Sequence, residues 1–176
     1  MNQRYIDNLR MFYPVQRWEN NEILRKPSQA ITKITDEIIE FAEALEILMH
    51  EYDWAWLAAP QIWQNIRMIA TTFRDEKNWK FKYKKSKVFM NPEIVYKSSS
   101  MFDDEEWCIS LPWLKGIVNR HYELKLKYLD FDWNYKVLTA KWLNARIIQH
   151  EVDHLEGILF TDKARDIKTK EKKRYL

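Results

Sequence analysis

Two histidines four residues apart, with a glutamate directly after the first, form the most reactive-looking stretch of this chain: QHEVDHLEG, residues 149–157. On a helix, residues four apart share one face about a turn apart, so the imidazoles of His150 and His154 can reach one metal ion. Glu151 would stand beside a water on that ion, where it could act as general base. Ile147, Ile148, Leu155, Ile158 and Leu159 flank the pair, so this helix is expected to be largely buried. Two unmatched imidazoles would be costly there. A metal site is therefore expected in preference to two polar surface histidines.

A catalytic ion of this kind needs a third protein ligand and an open position for water. The extended protease pattern HExxHxxGxxH would place a third histidine at 160, but that residue is Phe160. A downstream glutamate could serve instead, yet only Glu156 and Glu171 follow, one adjacent to the motif and one in a basic tail. The chain's one cysteine, Cys108, lies in EEWCISLP. It either packs as a small apolar residue, the commoner fate of a single cysteine, or completes a Cys/His/His set.

These residues need elements to position them. TDEIIEFAEALEILMH (35–50) reads as an amphipathic helix with Thr35 as N-cap and acids in its first turn. IRMIATTF (66–73) and SKVFMNPEIVY (86–96) read as strands, joined by a charged loop, RDEKNWKFKYKK. YELKLKYLDF (122–131) alternates apolar and lysine, the period of a half-buried strand, and KVLTA follows as its hairpin partner. From about Thr139 the metal motif sits on a second helix, with Gly157 as a natural C-cap. Strands that precede and flank a late helix predict an α+β fold.

Composition suits one domain: 176 residues, 46% hydrophobic and 31% charged. No apolar run approaches the roughly 20 residues of a membrane span, and the first residues lack the apolar core of a secretory signal. A net charge of +3 is too small to imply nucleic acid by itself. We divide the chain into a catalytic domain, 1–161, and a tail, 162–176, whose excess of Lys and Arg could touch ribosomal RNA or simply be solvated.

Three motifs in order then resemble the peptide deformylase family: WAWLAAPQ (54–61) for GxGxAAxQ, EWCIS (106–110) for EGCxS, and QHEVDHLEG for QHExDHxxG. The likeness runs over about residues 14–163. It implies antiparallel sheets packed around a central C-terminal helix that carries the HExxH motif. It also implies a cytoplasmic, monomeric enzyme that hydrolyses the formyl group from the initiator methionine of nascent peptides. Cys108, His150 and His154 would hold one divalent cation, usually Fe²⁺, with Zn²⁺, Ni²⁺ or Co²⁺ able to replace it. Glu151 would move the proton, and Gln61 with the Ile109 backbone N–H would stabilise the oxyanion. Ala55, Trp56, Glu106, Leu143 and Ile147 would line the substrate site. Arg146 stands where the family more often has an apolar pocket residue.

The departures from the family are of one kind. Trp54, Trp56 and Trp107 stand at motif glycines, and Trp18, Trp63, Trp113, Trp133 and Trp142 stand where glycine is common or a turn calls for it. Only Trp79 lacks such a counterpart. The chain has nine tryptophans and two glycines, where average usage of about 7% gives roughly a dozen glycines. One codon accounts for this: UGA is tryptophan in some genetic codes and glycine in certain uncultivated bacteria. Two other functions stay open on sequence. One is an HExxH metallopeptidase, disfavoured by the missing third His or Glu. The other is a metal-binding module whose groove the tryptophans block.

Overall fold

The computed structural model describes residues 2–73 and 86–169. The charged connection expected at 74–85, Trp79 and the last seven residues of the tail lie outside them. The chain opens with α1 (Gln3–Phe12), α2 (Glu22–Arg25) and α3 (Asp36–Glu51). The Thr35 hydroxyl accepts the Ile38 N–H at 3.4 Å, as its N-cap position predicts. Next come β1 (Trp56–Ala58), a 3₁₀ turn (Ala59–Ile62), β2 (Met68–Thr71) and β3 (Lys87–Lys97). β4 (Met101–Cys108), β5 (Leu111–His121), β6 (Glu123–Leu129) and β7 (Tyr135–Lys141) follow. The chain then enters α4 (Trp142–Leu155), a second 3₁₀ turn (Phe160–Asp162) and β8 (Arg165–Thr169).

One antiparallel sheet has the order β1-β2-β3-β6-β7, and a smaller one the order β4-β5-β8. Burial explains the two strand patterns seen in the sequence. On one face of the larger sheet, Leu57, Met68, Ala70 and Met90 pack with Leu45, Leu48 and Met49 of α3. On the other, Ala58, Ile69, Phe89, Leu124 and Leu126 pack with Ala145, Ile148 and Leu155 of α4. β2 is covered on both faces, so MIAT is buried throughout and apolar up to Thr71. In β6 the face towards α4 is buried while Lys125 is exposed, hence the alternation. The smaller sheet contributes Cys108, Leu111 and Val118 to a third cluster with Leu24, Leu159 and Phe160. α4 thus lies between the sheets, and the α+β expectation is met.

The described part of the basic tail pairs with the smaller sheet. Residues 165–169 form β8 against β5, and Arg165 pairs with Asp103 at 2.7 Å. Gly157 closes α4 with φ of 72°, and a Cβ there would sit 2.4 Å from the Arg25 carbonyl oxygen. Both the left-handed backbone and the close approach demand glycine. Gly157→Ala is therefore expected to cost about 2 kcal/mol or more, read as a thermal midpoint lowered by several degrees in an unfolding scan.

Candidate metal centre

α4 presents the motif as its period dictates. His150, Glu151 and His154 are all buried, and the two imidazole centroids lie 4.9 Å apart. Cys108 comes from the end of β4, just after a register shift between Glu106 and Cys108. That irregularity turns the sulfur towards α4. Candidate donor atoms of Cys108, His150 and His154 all lie within 4.8 Å of one another. Cys108 Sγ is 3.2 Å from His154 Nε2. The three residues expected on sequence converge, and Cys108 also packs in the third apolar cluster.

The polar bookkeeping of the cluster fits a cation. His150 Nε2 and both Glu151 carboxylate oxygens are buried and take no hydrogen bond. Such atoms carry a desolvation cost unless a partner compensates them. His150 Nδ1 meets Glu106 Oε2 at 2.9 Å, which leaves Nε2 as the free donor facing the cluster. Gln61, in the first 3₁₀ turn, accepts the Ala58 N–H through Oε1 at 2.8 Å. Its amide group is thereby oriented, and Nε2 donates to Cys108 Sγ at 3.1 Å and to Ser110 Oγ at 3.2 Å. Ile109 is buried directly after Cys108.

Burial sets the protonation states. It pushes the Glu151 carboxyl up to about 8, although the His150 charge opposes it. Burial, reinforced by repulsion from His150, holds His154 well below the ordinary imidazole range. Burial alone would lower His150 too, but the neighbouring Cys108 sulfur and Glu106 carboxylate outweigh it and raise it.

Glu106 does more than line a pocket. Arg120 grips it with two hydrogen bonds of 2.9 Å, from Nε and Nη2, and Arg146 Nη1 adds a third at 2.7 Å. Burial would raise its carboxyl, but Arg120 and His150 hold it far below the usual range. Arg120 also pairs with Asp153, which Lys163 contacts at 2.6 Å. A charged chain thus runs from His150 through Glu106, Arg120 and Asp153 to Lys163. Sequence reasoning missed Arg120 and Asp153. The signal was Arg120 two residues after buried Val118 in β5, on the inward face. Arg146, the anomalous pocket residue, is 3% exposed and bound to Glu106 and the carbonyls of Val118 and Phe102.

Beside His150 lies a cavity of about 320 Å³. Trp56, Glu106, Leu143 and Ile147 line it, together with Trp107, Trp142 and Arg146. Ala55 stands outside this lining, and its carbonyl is occupied by the Thr72 N–H and hydroxyl at 2.7 and 3.0 Å. β1 is an end strand, paired only with β2.

A family profile described as polypeptide deformylase matches residues 13–170. Peptide deformylase 1 of Clostridium perfringens is 40% identical over 146 residues, covering 83% of this chain and 94% of that protein. Peptide deformylase of Cytophaga hutchinsonii is 34% identical over 161 residues, covering 90% and 85%. Among solved structures, a class I type b peptide deformylase from Acinetobacter baumannii with Met-Ala-Ser bound superposes with a TM-score of 0.77 at 31% identity. That likeness covers 86% of this chain and 97% of the other. An actinonin complex of the Synechococcus elongatus enzyme gives 0.77 at 28% identity, over 87% and 80%. The chain belongs to the polypeptide deformylase family.

Proposed function

We propose that this chain hydrolyses the N-formyl group from the initiator methionine of nascent polypeptides. The observation that carries the reading is the convergence of Cys108, His150 and His154 beside the buried, unpartnered carboxylate of Glu151. The three residues would hold one divalent cation, Fe²⁺ in the first place, with Zn²⁺, Ni²⁺ or Co²⁺ as substitutes. When bound, that cation supplies Lewis acidity and makes water a nucleophile near neutral pH.

The chain's own groups do the rest. Glu151 accepts a proton from the attacking water and returns it to the leaving amine, so that formate and a free N-terminus result. The Ile109 N–H and Gln61 Nε2, the latter exchanging its Ser110 hydrogen bond for the substrate, stabilise charge on the formyl oxygen, each worth roughly 2.7–4 kcal/mol by analogy with other hydrolases. The substrate backbone lies along the open edge of β1, past Ala55 and Trp56. Its methionine side chain enters the cavity walled by Leu143 and Ile147. Arg146 does not bar that pocket with a free charge, since Glu106 neutralises it.

The enzyme acts as a monomer in the cytoplasm, and no helix among the described residues is long and apolar enough to cross a membrane. Its basic tail touches the ribosome, with Lys163 and Arg165 already engaged by Asp153 and Asp103.

Incubation with formyl-Met-Ala-Ser should release formate. A chelator should stop the reaction and added Fe²⁺ restore it, while casein stays intact. Casein cleavage would point to a peptidase instead, and tight cation binding without formate release to a binding module.

A further inference from the structure

Seven non-glycine residues have positive φ among the described residues. Three are Asp53, Asn91 and Asp166, the short polar types that tolerate a left-handed backbone. The other four are all tryptophan: Trp18 at 82°, Trp63 at 75°, Trp133 at 61° and Trp142 at 48°. For a bulky residue this conformation is a genuine outlier. Two of the four, Trp63 and Trp133, sit where a turn asks for glycine. Trp63 caps the first 3₁₀ turn, and the Gln64 N–H returns to the Ala59 carbonyl at 3.1 Å. Trp133 closes the β6–β7 hairpin, donating to the Asp130 carbonyl at 3.1 Å. Trp18 and Trp142 each donate their backbone N–H to a distant carbonyl, Ser110 at 3.0 Å and Tyr122 at 2.6 Å.

Most of the side chains agree with this, although Trp54 packs against the α3 core and meets Trp56 edge-on at 6.1 Å. Trp18 and Trp63 are more than half exposed, and Trp107, Trp113 and Trp133 are about two-fifths exposed. Tryptophan in folded chains is ordinarily much more buried. At positions 18, 63 and 133 the backbone conformation fits glycine and the indole is exposed. Three further points join this to the site: Trp56, Trp107 and Trp142 all line the cavity that His150 borders.

We propose that the polypeptide made in its own cell carries glycine at the tryptophan positions, UGA being read there as glycine. The cavity beside His150 is then a wider groove with backbone walls, shaped for an extended peptide. The groove's occupant rests on the deformylase reading, whereas the glycine assignment does not.

Two experiments test this. Peptide mass spectrometry of the protein from its own cell should show glycine at positions 18, 63, 133 and 142, and tryptophan there would overturn the assignment. Independently, the chain with Trp18→Gly, Trp63→Gly, Trp133→Gly and Trp142→Gly should melt higher than the tryptophan chain, by roughly 2–8 °C per site. The matching alanine quartet should gain less, because alanine still meets the left-handed penalty. A glycine quartet no more stable than the parent, or no better than alanine, would sink the idea. Adding Trp56→Gly and Trp107→Gly should tighten Met-Ala-Ser binding in calorimetry. Unchanged or weaker binding would overturn the open groove. Stabilisation without formate release from any version would support the glycine assignment and count against the functional reading.

Discussion

Glu151→Gln is expected to lower kcat by about 10²- to 10⁴-fold while cation content stays at one per chain. The amide has nearly the carboxyl's shape, so packing around this fully buried side chain is kept. What disappears is the ability to take a proton from water and hand it to the departing amine. Elemental analysis beside a formate assay separates the two. A variant that loses its metal would show that Glu151 holds the site together rather than doing the chemistry. The same variant has a pH signature in the cation-stripped protein. Burial raises the folded-state carboxyl from its ordinary 4.5 to about 8. Between those values the folded chain keeps a proton that the unfolded chain has lost. The stabilising contribution is therefore complete below about pH 4.5, declines as pH rises, and is gone above about 8, a fall on the order of several kcal/mol. Glu151→Gln should remove that slope from a series of denaturant titrations.

Much of this site was legible because its chemistry is local. His150, Glu151 and His154 are spaced by a single helical turn, and α4 delivers them as that spacing predicts. Cys108 was reached by asking for a missing ligand, although nothing in its neighbourhood foretold the register shift in β4 that aims it. α3, β2, β3, β6 and β7 were legible from apolar period. β4 was not, because MFDDEEWC puts a run of acids in a strand whose charged side chains meet Arg165, Lys115 and Arg120 from outside the segment. α2 and β1 span only four and three residues, and their stability comes from contacts rather than from pattern. The ionic chain through Arg120 was hidden for the same reason. Its members are 106, 120, 146 and 153 in sequence, and only the packing of β4 and β5 on α4 brings them together.

That ionic chain carries the other large effect. Glu106→Gln is expected to destabilise the protein by about 3–5 kcal/mol and to weaken cation affinity about 10- to 100-fold. Glu106 is 5% exposed and stands between Arg120 and Arg146, each 3% exposed. Without its charge, Arg146 keeps two backbone carbonyls and the Phe102 ring, and Arg120 keeps Asp153 alone among the acids. A buried guanidinium short of its counter-charge is the costly case, far more so than the loss of one surface pair. The affinity loss has a different origin. His150 Nδ1 would face an amide that can present N–H as readily as C=O, so the ring loses the acceptor that points Nε2 at the cluster. The two effects separate in the double variant Glu106→Gln/Arg146→Met. Removing one of the stranded cations should recover part of the lost stability and leave cation affinity low. Recovery of both together would mean that Glu106 only balances charge, and normal affinity in Glu106→Gln itself would end its role as the partner that orients His150. Acid should not mimic the substitution until well below the ordinary carboxyl range, because the folded-state carboxyl is held down by Arg120 and His150. Its stabilising contribution is present above about pH 4.5 and declines as pH falls towards that depressed value.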